Sequence, residues 1–125
     1  MLRLDHVSTY YGKFEAVKGV SLYLQKGELV TLIGANGAGK TTILRTICGL
    51  TKPKKGKIFF ENQDITFSET VDRVKKGIVY CPEGRKLFHD MTVIENLEMG
   101  AYTCYQGIEE SLRKVFEPVS YTHLT

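Results

Sequence analysis

The stretch GANGAGKTT, residues 34–42, decides how the rest of the chain is read. Gly34, Gly39, Lys40 and Thr41 satisfy the spacing G-x-x-x-x-G-K-[ST]. Glycines let the backbone curl so that successive N–H groups converge on phosphate oxygens. A helix that follows adds the partial positive charge of its N-terminus. A lysine at the seventh position carries a point charge to the β- and γ-phosphates, and the next hydroxyl can sit on Mg²⁺. At ordinary residue frequencies the pattern arises at roughly 4 in 100,000 start positions, so chance does not explain it. The loop is expected to hold a nucleoside triphosphate, with Lys40 at the phosphates and Thr41 on the metal.

The flanks supply the context this motif demands. Glu28 to Ile33 is a short, nearly continuous apolar run, which predicts a strand covered on both faces as in a parallel sheet. After Lys40, residues Ile43, Leu44, Ile47 and Leu50 recur at helical spacing, with Gly49 as the stop. Upstream, Leu2–Val7 and Val20–Gln25 alternate as half-buried strands. Downstream, Ile58–Phe60 and Asp64–Thr66 predict a hairpin with Asn62 at its tip, because Asn tolerates left-handed backbone angles. Ser68 is placed as the cap of a helix reaching about Lys76 and ended by Gly77. GIVYCPE reads as another short buried strand ended by Pro82. Thr92 and Glu95 form a capping-box pattern for a helix over Val93–Met99, and a further amphipathic helix covers Ile108–Phe116.

Composition narrows the classes. The 125 residues suit one domain, and 42% apolar with 25% charged residues is ordinary for a globular protein. A net charge of +3 is too small to argue for nucleic acid or anionic lipid, and the lysines around Pro53 read as a solvated loop. No apolar run approaches the roughly 20 residues of a membrane span. Cys48, Cys81 and Cys104 are unpatterned and predict reduced thiols rather than disulfides or a zinc site. The histidines have no partner constellation that suggests catalysis.

Longer stretches carry a family resemblance. YYGKFEAVKGVSLYLQKGELVTLIGANGAGKTTILRTICGL, then GKIFFENQDIT and GIVYCPEGRKLFHDMTVIENLEMGAY, resemble in order and spacing the start of an ABC-type ATP-binding domain. Within that family the chain is most similar to ATP-binding subunits of bacterial branched-chain amino acid importers. The resemblance implies an α/β fold: a P-loop NTPase of ABC type, with an antiparallel β subdomain and an incomplete RecA-like parallel-sheet core. It implies ATP and Mg²⁺ as cofactors. It places residues 1–117 in the N-terminal part of the domain, with the P-loop at 34–42, the Q-loop region at 81–88 and the start of a helical subdomain at 92–117.

Site roles follow from the same match. Tyr11 falls where the family stacks an aromatic on adenine, with Tyr10 as the neighbour that could take its place. Gly34, Asn36, Gly37, Ala38, Gly39, Lys40, Thr41 and Thr42 would contact the nucleotide, Thr42 at the α-phosphate and Asn36 nearest the γ-phosphate. Glu83 falls at the Q-loop position, where most members carry Gln, and would join Thr41 at the metal. Lys40 and Glu83 are thereby the catalytic candidates. The implied partners are a second ATP-binding subunit and transmembrane permease subunits, not nucleic acid. The implied location is the cytoplasmic face of the bacterial inner membrane, reached through the permease. Members with this layout couple ATP hydrolysis to transport. A soluble ABC-type ATPase of another pathway, or a non-catalytic nucleotide-binding module, stays open at this point.

The family also carries a Leu-Ser-Gly-Gly-type signature, a strand ending in Asp, a catalytic Glu and a switch His. No such signature string, and no apolar run ending in Asp-Glu, follows Leu97. The expectation is therefore an N-terminal fragment, truncated before the signature, inactive alone, with residues 118–125 (PVSYTHLT) a non-native tail and His123 not the switch residue.

Overall fold

The structure is a computed structural model that describes residues 1–103 and 106–119, without the side chains of 118 and 119. Cys104, His123 and most of the expected tail, 120–125, lie outside the described residues. The chain divides into two compact units, Met1–Cys81 and Pro82–Thr125.

In the first unit, strands β1 (Leu2–Tyr11), β2 (Phe14–Leu24), β3 (Lys55–Phe60) and β4 (Gln63–Asp64) form one antiparallel sheet in the order β2-β1-β3-β4. Helices α1 (Lys40–Cys48) and α2 (Thr70–Lys75) complete it. The core gathers Leu2, Leu4, Val7, Ile47, Ile58 and Ile65, with Ile43 and Ile78 packed against it. Ile43 and Ile47 thus deliver the predicted apolar stripe of α1, whereas Leu44 and Leu50 remain exposed. Gly49 ends α1 in the left-handed conformation, with its N–H on the Thr46 and Arg45 carbonyls, as its position predicts.

β1 and β2 run longer than the alternation predicts, because a bulge lets β1 keep one face on the core. Leu4 and Val7 are three residues apart, which strict pleating would put on opposite faces. His6, at φ 47°, breaks the register between Leu4 and Val7 against β2, and between Asp5 and Ser8 against β3, so both side chains are buried. Gly56 lies opposite. A Cβ there would come within 2.4 Å of the His6 carbonyl oxygen and 2.5 Å of that of Asp5, so no larger residue fits.

Two strand expectations are not met. No strand forms over 28–33 or 77–81. Leu29 and Ile33 are each 92% exposed, and Val79 is 81% exposed. These runs suit a parallel sheet with neighbours on both sides, and among the described residues no strand lies beside either to complete a ladder. The β3–β4 hairpin forms with Glu61 and Asn62 both at positive φ, 48° and 62°, the type I′ geometry that matches strand twist.

Ser68 does not cap α2. Glu69 holds the N-cap position, and the Ser68 carbonyl accepts from Lys52 Nζ at 2.5 Å and Arg73 Nε at 3.2 Å. Arg73 is wholly buried and hydrogen-bonds to carbonyls. Nη1 donates to the Thr46 and Ile47 oxygens and Nη2 to that of Thr66, each at 2.9 Å. A cation at the C-terminal carbonyls of α1 also meets the negative end of the helix dipole. Of the run near Pro53, Lys52 is thus tied to the backbone, and Lys54 Nζ sits 4.8 Å from the centre of the Tyr10 ring.

In the second unit, α3 (Val93–Gly100) starts with the predicted capping box: Glu95 N–H donates to Thr92 Oγ1 at 3.1 Å, and Thr92 N–H donates to the Glu95 carboxylate at 2.9 Å. Helix α4 spans Ile108–Val119.

Candidate functional site

The glycine loop comes from residue chemistry outward. Gly37 at φ 85° and Gly39 at φ 97° take left-handed angles that other L residues resist. Gly39 also lies against β2, where an added Cβ would be 2.5 Å from the Ala16 carbonyl oxygen. At the other end of the loop, a Cβ on Gly34 would be 3.1 Å from the Ala38 methyl, and Ala38 N–H closes a turn onto the Ala35 carbonyl at 3.1 Å. Two positions therefore force glycine by angle, and one of those also by contact.

Gly39 is the N-cap of α1. It offers no side-chain cap, and the first turn of the helix holds no acidic residue. The positive end of α1 is thus free of any covalently attached counter-charge, the arrangement that receives an anion. Lys40 begins the helix and turns its ammonium back over the loop, donating to the Gly34 carbonyl and, at 3.4 Å, to that of Ala35. Asn36, Gly37 and Ala38 are exposed along the loop. Thr41 is exposed, whereas Thr42, one position on, is buried.

These residues fit a polyphosphate: a glycine-forced curl, an uncapped helix N-terminus and the Lys40 ammonium converge on one loop. Thr41 offers a hard oxygen donor on the same turn, which fits Mg²⁺, a cation that takes one or two protein oxygens besides substrate phosphates. Among the described residues no group of three or more His, Cys, Asp or Glu side chains could hold a metal by itself.

Beside the loop, a concavity of about 350 Å³ is lined by Phe14, Ala16 and Val17 of β2 with Gly37, Ala38 and Ile43, within the usual range for small-molecule sites. Tyr11 ends β1, just before the Gly12–Lys13 turn, and is 47% exposed. Interactions with the side chains of Thr42 and then Thr51, and the nearby Arg45 charge, hold its phenol below the ordinary tyrosine range. Tyr11 therefore flanks α1, and Tyr10 instead meets Lys54.

Glu83 belongs to the second unit, exposed in a loop where Gly84 and Arg85 both have positive φ, 88° and 47°. Asn96, which no sequence signal singled out, organises this loop. Its amide nitrogen donates to the Phe88, Met91 and Thr92 carbonyls at 3.1, 3.3 and 2.8 Å, and its oxygen accepts from Phe88 N–H at 2.9 Å. Leu87, Phe88, Met91 and Val93 are thereby left exposed around a hollow of about 230 Å³.

Comparison with known proteins gives a concordant picture. The family described as ABC transporter matches residues 17–124. The chain is 48% identical over 118 residues to the high-affinity branched-chain amino acid transport ATP-binding protein BraG of Pseudomonas aeruginosa, covering 94% of this chain and 51% of that protein. It is 35% identical over 130 residues to the sulfate/thiosulfate import ATP-binding protein CysA of Vibrio cholerae, covering 98% of this chain and 34% of that one. Among solved structures, the ADP conformation of MJ1267, an ATP-binding cassette of an ABC transporter, superposes with a TM-score of 0.70 at 37% identity, over 91% of this chain and 45% of that one. The chain thus spans about half or less of the length of the relatives it matches.

Proposed function

This chain belongs to the ABC transporter family, and from that premise we propose that it binds Mg·ATP at residues 34–42 and serves an importer of branched-chain amino acids as its ATP-binding subunit. The observation that carries the reading is the uncapped N-terminus of α1 behind a loop whose glycines are forced. Backbone N–H groups from Gly37 to Thr41 wrap the β-phosphate. Lys40 exchanges the Gly34 and Ala35 carbonyls for β- and γ-phosphate oxygens, and Thr41 holds Mg²⁺. Tyr11 stacks on the adenine, and Thr42 supports the α-phosphate end. Glu83 would supply the Q-loop carboxylate. Catalysis of phosphoryl transfer is mostly positioning and electrostatics, so these groups orient the triphosphate and neutralise its charge.

The exposed apolar surface of Leu87, Phe88, Met91 and Val93 suits contact with a permease subunit, and no helix among the described residues is long and apolar enough to cross a membrane. The full assembly is a pair of ATP-binding subunits on a permease, at the cytoplasmic face of the bacterial inner membrane. The cargo assignment rests on the likeness to the amino acid transport protein of P. aeruginosa at 48% identity, against 35% for the sulfate/thiosulfate import protein. Uptake by the full-length protein in proteoliposomes with its genomically neighbouring permease and binding proteins tests it. ATP-dependent accumulation of labelled leucine is expected, and should be lost in Lys40→Ala. Accumulation of sulfate instead would reassign the cargo while keeping the subunit's role.

A further inference from the structure

Behind the nucleotide loop lies a buried hydroxyl pair that none of the expected roles uses. Thr9 of β1 and Thr46 of α1 are both wholly buried, and their Oγ1 atoms are 3.0 Å apart. Thr46 Oγ1 also donates to the Thr42 carbonyl at 2.7 Å. A hydroxyl has one proton. That of Thr46 is committed to Thr42, so Thr9 must donate to Thr46, and the polarity of the pair is set. The chain of bonds therefore runs Thr9 to Thr46 to Thr42, from the strand into the first turn of the helix.

The position of this link matters more than its strength. Thr9 precedes Tyr11 by two residues on β1, and Thr46 follows Thr42 by one helical turn. Farther along α1, Arg73 grips the Thr46 and Ile47 carbonyls, so the helix cannot slide along its axis without breaking these bonds. One side of the link presents an aromatic ring, and the other presents the loop and helix end that take phosphate. We propose that the Thr9–Thr46 bond is a positioning device that sets the distance between the base platform at Tyr11 and the phosphate cradle at 34–42. This rests on the nucleotide reading above and deepens it. Thr9 and Thr46 touch no nucleotide themselves. Their effect is confined to ligands that engage both ends at once.

The test compares ATP with inorganic tripolyphosphate, which has the phosphates but no base, by calorimetric titration of the full-length protein. Thr9→Val keeps shape and β-branching and removes only the donated hydrogen bond. It should weaken ATP roughly fivefold, the equivalent of one hydrogen bond, and leave tripolyphosphate unchanged. Thr9→Ser, which keeps the hydroxyl, should restore the wild-type ratio. Thr46→Val breaks the same bond from the helix side, together with the Thr46–Thr42 bond, and its ATP-to-tripolyphosphate ratio serves if Thr9→Val does not fold. Because the device acts through Tyr11, adding Tyr11→Ala to Thr9→Val should weaken ATP no further than Tyr11→Ala alone. Equal loss for ATP and tripolyphosphate, or additive losses in the double variant, would overturn the inference. An unchanged ATP affinity in Tyr11→Ala alone would overturn the assignment of Tyr11 as the base platform, and the inference with it.

Discussion

Gly39 and Ala16 are in backbone contact: a Cβ placed on Gly39 would stand 2.5 Å from the Ala16 carbonyl oxygen. The glycine loop at 34–42 is therefore seated on β2 by the absence of a side chain. Gly39 also holds φ 97°, so alanine there meets both a clash and a disfavoured angle. The angle alone costs roughly 1–2 kcal/mol. Gly39→Ala should lower the melting temperature of the full-length protein and abolish ATP binding together. A variant with wild-type melting and wild-type affinity would mean that loop and strand can separate freely.

Lys40→Ala separates charge from cradle. The mutation removes the ammonium that bridges the Gly34 and Ala35 carbonyls, but Gly37, Gly39 and the uncapped helix end remain. Hydrolysis by the full-length protein should therefore fall far more than its affinity for ADP, which lacks the γ-phosphate. Steady-state ATPase assays alongside ADP titration read both quantities. Retained wild-type turnover would place the reacting phosphates elsewhere.

Glu83 places a carboxylate at the expected Q-loop position. A negative group can bind the cation directly, yet it repels phosphate on close approach. Glu83→Gln should leave a working ATPase whose Mg²⁺ requirement has moved, and Glu83→Ala should retain binding while losing turnover. Mg²⁺ titrations of activity are the measurement. Superimposable curves for the three proteins would remove Glu83 from the site.

What the sequence made legible was local. Glycine spacing, the α1 stripe at Ile43 and Ile47, the Gly49 stop, the Asn62 turn and the Thr92–Glu95 box each depend on residues a few positions apart, and each appears in the structure. Non-local facts were not legible. The His6 bulge needs Gly56, fifty residues away, to make room for it. Arg73 looks like any helix-surface charge until the carbonyls of α1 and of Thr66 surround it. Thr9 and Thr46 are ordinary polar residues whose meaning comes from being 3.0 Å apart. The composition of the apolar runs at 28–33 and 77–81 suits burial, but a strand is a relationship with a neighbour, and none lies beside them among the described residues.

That last difference has a measurable consequence for the 125-residue chain. Leu29 and Ile33 are almost fully exposed immediately before the glycine loop, and Val79 is exposed in the second run. Unpaired apolar segments of this kind offer backbone N–H and C=O groups to any other strand that approaches, which favours association between chains. Domain stabilities are only about 5–15 kcal/mol, and losing a few strand pairings at about 1 kcal/mol per hydrogen bond removes much of that. Bound nucleotide restores RT ln(1 + [L]/Kd), about 2.7 kcal/mol at a hundredfold excess over Kd. The expressed 125-residue chain should therefore melt broadly and scatter light as it warms, and Mg·ATP should bind weakly and shift the transition by little. Thermal melts with light scattering, run with and without Mg·ATP, make the comparison. A sharp, monomeric, cooperative transition in the absence of nucleotide would show that the exposed runs at 28–33 and 77–81 carry no such penalty.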